Sequence, residues 1–172
     1  MPFSKSSHHW FTPSETARRE VDSLADEFQA YLARLADARP LELPQSKGRV
    51  VYVTGGTWSD YGLELSLALA KRSHLLVDLL EVLPETGPLH RGGPELFALG
   101  VAGLPFERHE RHGSVVGGLI THLVNHADVV AVVVEYVDFR RYGQLHLREA
   151  LLPLISETGL PTVFLVSEGA VI

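Results

Sequence analysis

The run Asp128-Val129-Val130-Ala131-Val132-Val133-Val134 constrains the fold more than any other stretch of the chain. It is unbroken, mostly β-branched and free of polar alternation. As a strand it must therefore be covered on both faces, the condition of a parallel sheet flanked by helices. The other apolar runs agree. Val50-Val51-Tyr52-Val53, Leu75 to Val82 and Thr162-Val163-Phe164-Leu165-Val166 read as strands, and Pro105 to His112 as a more polar one. Helix patterns lie between them: one capped at Ser59-Asp60 and running through Arg72, one over Glu95 to Val101, one capped by Ser114 and running through His126, and one within Gln144 to Thr158. Strand and helix alternate, so the expected fold class is α/β, a five-stranded mainly parallel sheet with helices on both faces.

Upstream of this pattern the chain changes character. Thr12-Pro13-Ser14-Glu15 reads as a helix start, with Thr12 as cap and Glu15 closing a capping box. The helix runs to about Ala38 with an apolar stripe of Ala17, Val21, Leu24, Phe28, Tyr31 or Leu32, and Leu35. Pro40 to Gly48, with two prolines and a glycine, reads as a linker. The expected organisation is a tail, helix (about 13–38) and linker over residues 1–47, then an α/β domain over 48–172. The stripe packs on the rest of the chain or on another protein; spacing leaves both open.

Composition narrows the function classes. The chain has 172 residues, a formal net charge of −6 and no cysteine, with a pI near 5.8. Mild acidity argues against a basic nucleic-acid face. Absence of cysteine removes disulfides, thiolate metal sites and thiol nucleophiles. No stretch reaches the roughly 20 apolar residues of a membrane span, so direct membrane insertion is not expected. The N-terminus carries no apolar signal region, so a cytoplasmic location is expected.

Several groups are candidates for chemistry. Thr54, Gly55, Gly56, Thr57 and Ser59 lie between a strand and a helix, where open α/β sheets bind ligands, and offer hydroxyls, flexible backbone and helix amides to an anion or nucleotide. His122 and His126 have the i, i+4 spacing of two metal ligands, but position 123 is Leu123 rather than the Glu of a zinc protease and no third ligand is legible, so no metal centre is expected. Glu107, His109 and Arg111 alternate with Arg108, Glu110 and His112 across two faces of a strand. Glu135, Asp138, Arg140 and Arg141 read as surface charge, and Gly117-Gly118 as close packing. No nucleophile elbow, P-loop or dinucleotide fingerprint is present, so no residue is assigned a catalytic role.

Three features carry a family resemblance: the strand-loop-helix ending in Leu67-Ala68-Leu69-Ala70-Lys71-Arg72, the strand introduced by Ala127-Asp128, and the closing strand introduced by Leu160-Pro161. On these the segment from Gly48 to Val166 resembles the universal stress protein domain, one of the adenine-nucleotide α-hydrolase-like folds. ATP-binding members carry an aspartate at the end of the first strand, where this chain has Thr54. They also carry a glycine-rich phosphate loop after the fourth strand, where this chain reads Glu135-Tyr136-Val137-Asp138 and has no glycine before Gly143. The resemblance therefore implies the ATP-independent branch: a non-catalytic, homodimeric regulator or adaptor with no cofactor, ATP or AMP being disfavoured. It also implies pairing of Val163, Phe164, Leu165 and Val166 across a two-fold axis, with the N-terminal helix embracing the partner or holding a client protein. The alternatives are a small-ligand or nucleotide sensor at Thr54 to Ser59 and a pyrophosphatase-like enzyme.

Overall fold

The structure is a computed structural model and describes residues 14–38, 48–55, 59–83, 103, 106–135, 162–167 and 170–171. Three helices lie among the described residues: α1 (Glu15–Ala38), α2 (Asp60–Ser73) and α3 (Val115–Asn125). Six strands accompany them: β1 (Arg49–Thr54), β2 (Leu76–Leu83), β3 (Phe106–His112), β4 (Val129–Glu135), β5 (Thr162–Ser167) and β6 (Ala170–Val171). The sheet order is β3-β2-β1-β4-β5-β6. The first five strands run parallel, as the apolar runs require. β6 is antiparallel to β5 through Val166↔Val171 and Ser167↔Ala170, and at two residues it is too short to show a pattern in the sequence. The helices expected over 95–101 and within 144–158, and the linker residues 40–47, lie outside the described residues.

Strand alternation divides the core into two layers. Val50, Tyr52, Val77, Leu79, Ala131, Val133, Phe164 and Val166 face α1 and α2. Val51, Val53, Leu80, Val82, Val132, Val134 and Leu165 face α3. β4 is therefore buried on both faces, which is why its sequence has no polar alternation.

The apolar stripe of α1 packs on its own chain. Val21, Ala25 and Phe28 are buried against the α2 layer, with Ala17, Leu24 and Leu32 at the margin. The Phe28 ring meets Phe164 edge-on at 6.1 Å. Tyr31 stays exposed, so of the pair Leu32 belongs to the stripe; the Leu35 side chain lies outside the described residues. Arg72 of α2 pairs with Asp22 and Asp26 along the same seam. The helix cap is Ser14 rather than the expected Thr12: Ser14 Oγ accepts from the Ala17 N–H at 3.2 Å. At α2 the expected Ser59 cap is present, its Oγ accepting from the Gly62 N–H at 3.0 Å. No helix among the described residues is long and apolar enough to cross a membrane.

Candidate functional site

The chain steps outward from β1 to β2 and β3, then returns to place β4 on the other side of β1. This switch of direction opens a crevice at the carboxyl ends of β1 and β4, the usual ligand position of such sheets. β1 ends there at buried Thr54, followed by Gly55. Ser59 caps α2 beside it. Gly56 and Thr57 lie outside the described residues.

A side chain of the protein itself occupies this position. Glu135 ends β4, and its Oε1 accepts from the Ser59 N–H at 3.1 Å, the Ser59 hydroxyl at 2.5 Å and the Tyr52 hydroxyl at 2.5 Å. The carboxylate thus lies on the Ser59 N–H at the start of α2, where positive helix charge favours an anion. The expectation that Glu135 is surface charge is corrected: it is a buried acceptor, because β4 extends one residue beyond Val134 and delivers the group to the crevice.

Gly62 makes room for this arrangement. A Cβ at this position would lie 2.1 Å from Glu135 Oε1 and 3.0 Å from Tyr52 Cε2. Alanine is ordinarily better than glycine within a helix by about 1 kcal/mol. Here the sign is expected to reverse. Gly62→Ala should lose about 1–3 kcal/mol through overpacking, read as a lower urea midpoint; an unchanged or raised midpoint would contradict the seating of Glu135.

A second polar centre sits toward the opposite, N-terminal end of the strands. Asp78, in the apolar run of β2, is fully buried. Arg49, the first residue of β1, places Nη1 at 2.9 Å and 3.0 Å from the two Asp78 oxygens, and Nε at 3.0 Å from Asp128 Oδ1. Glu107 Oε2 lies 3.7 Å from the same guanidinium. The register of β1 against β4 shifts beside this fork, between Arg49 and Val50. His122, on the buried face of α3, places Nε2 at 2.8 Å from Asp78 Oδ2. Burial opposes ionisation of Asp78, but the hydrogen bonds from His122 and Arg49 and the charges behind them outweigh it and hold the carboxyl below its usual value. An ionised carboxylate only accepts, so His122 Nε2–H is the donor.

Two more imidazoles complete the cluster. The His109 ring of β3 lies 4.7 Å from that of His122 and 5.3 Å from that of His126. His122 and His126 stack at 4.3 Å. His126 Nδ1 lies 3.0 Å from the His122 carbonyl oxygen, so Nδ1 donates. Burial, together with His122 and His126, pushes the His109 imidazole below its usual value, against the pull of Asp78 and Glu107. One ligand atom from each of Asp78, His109, His122 and His126 lies within 4.8 Å of every other.

The structure brings together some sequence candidates and separates others. His122 and His126 do share a helix face, and His109 and Glu107 share a strand face with them, while Arg108 points the other way to buried Glu81 at 2.8 Å. His122 is fully buried and hydrogen-bonded to Asp78. Gly118 packs against Val82, as a close-packing glycine should, whereas Gly117 meets only the Ser114 cap. Phe164 and Leu165 are buried in the two core layers, and Val163 is partly buried against the α3 layer. Val166 is buried as well, and β6 pairs with its backbone. Sequence reading passed over Asp78, Arg49 and Asp128, although a charge inside an apolar strand such as Leu76-Val77-Asp78-Leu79 is itself a signal of a buried partner.

The chain matches no protein-family description and no curated protein. Among solved structures it is similar to a protein from the universal stress protein family from Burkholderia pseudomallei, with a TM-score of 0.46 and 12% sequence identity, over 72% of this chain and 98% of that one.

Proposed function

We propose that this chain is a non-catalytic regulatory or adaptor domain of universal stress protein type that acts as a homodimer and works without ATP. The observation that supports this reading best is the Glu135 carboxylate on the start of α2. A nucleotide phosphate placed there would meet a fixed negative charge and would have to displace three hydrogen bonds. The residues that replace the family's nucleotide motif thus act against nucleotide binding, both by removing the aspartate and glycines and by supplying an internal anion.

Dimerisation would use backbone rather than side chains. Phe164, Leu165 and Val166 are committed to the core, and β6 covers the outer edge of β5 at Val166 and Ser167. From Thr162 to Leu165 that edge has no strand neighbour among the described residues, so its N–H and C=O groups suit antiparallel pairing about a two-fold axis. With the α1 stripe packed in cis, a client would meet the charged face of that helix.

Native mass spectrometry of the full chain tests both parts. The expected spectrum is a dimer whose mass does not change on addition of magnesium-ATP. A bound nucleotide would overturn the ATP-independent reading, and a monomer would overturn the dimer.

A further inference from the structure

We propose that His109, His122 and His126, with Asp78 as their carboxylate partner, form a mononuclear binding site for a divalent transition metal of the zinc class. The site is independent of the crevice at Glu135 and lies at the other end of the sheet.

Four observations support it. First, the four groups come from three separate elements, β2, β3 and α3, yet their ligand atoms converge within 4.8 Å. Tetrahedral zinc, with bonds of about 2.0–2.1 Å, sets its ligand atoms about 3.3 Å apart, so side-chain adjustments of about 1 Å close the set. Second, two buried nitrogens in the cluster make no hydrogen bond among the described residues: His122 Nδ1, and His109 Nε2, which has Glu107 Oε2 at 3.4 Å. A buried imidazole nitrogen with no partner is costly in a finished polar network and is what a metal would satisfy. Third, His126 is oriented by a backbone carbonyl, a support that commonly stands behind metal-bound histidines. Fourth, the local charge favours a dication. Asp78, Asp128 and Glu107 surround the single guanidinium of Arg49. Imidazole-rich donors with one carboxylate select zinc, copper, nickel or cobalt over magnesium or calcium. His109 is partly exposed and offers the way in.

The test is calorimetric titration of zinc chloride into chelator-treated full-length protein, followed by thermal melts with and without zinc. Wild type is expected to take up one zinc per chain at micromolar concentration and to melt higher when loaded. His109→Ala, on the partly exposed face of β3, and His126→Ala should each weaken uptake at least about 100-fold and lose the zinc-dependent rise in Tm, with circular dichroism unchanged. Zinc also has the tail pair His8-His9 available, so His8→Ala/His9→Ala serves as the control and should leave uptake intact. The proposal is overturned if wild type takes up no zinc, if both cluster variants bind it as wild type does, or if uptake disappears with the tail pair.

Discussion

Asp78→Ala should cost about 3–5 kcal/mol of stability, the usual consequence of removing one partner from a buried ion pair. Asp78 is fully buried and serves two partners at once, Arg49 from β1 and His122 from α3. Without it the guanidinium keeps Asp128 but loses its bidentate acceptor, and His122 loses the hydrogen bond its ring makes among the described residues. Asp78→Asn retains the shape and one acceptor, so it should cost about half as much. Urea denaturation of metal-free protein measures both. An unchanged slope with a lowered midpoint is expected. A loss for Asp78→Ala within about 0.5 kcal/mol of zero, the size of an ordinary surface substitution, would contradict the buried network.

Glu135→Ala is the second large effect. Oε1 collects a backbone N–H and two hydroxyls, and hydrogen bonds to a charged group are worth about 1.5–3 kcal/mol each. They share one acceptor atom and do not add, so the expected loss is about 3 kcal/mol. Glu135→Gln keeps an acceptor oxygen and should lose about half of that. The alanine variant carries a further signature. With the internal carboxylate gone, the Ser59 N–H and hydroxyl at the start of α2 are open to an external anion, so sulfate should raise the Tm of Glu135→Ala more than that of wild type. Equal shifts in the two proteins would mean that Glu135 does not close this position.

These two acidic residues also show what could be read from the sequence. The β4 run required cover on both faces, and the sheet supplies it. The caps at Ser59 and Ser114 were legible because their signal is local. The α1 cap is Ser14 rather than Thr12 because the helix begins at Glu15. The polar centres were less legible because they are made by register. Glu135 sits one residue beyond an obvious strand, and only the pairing of β4 with β1 brings it to Ser59, 76 residues away in sequence. His122 and His126 declared themselves by i, i+4 spacing, but His109 and Asp78 reach them only once β2, β3 and α3 are assembled. Spacing within one element is visible in sequence; convergence of three elements is not.

The most direct test of the central claim, that the crevice is closed by the protein's own carboxylate, is an equilibrium titration of wild-type protein with ATP in the presence of magnesium. The account predicts no saturable binding up to millimolar nucleotide. A one-to-one isotherm at micromolar ATP would contradict it and would require Glu135 to leave the start of α2.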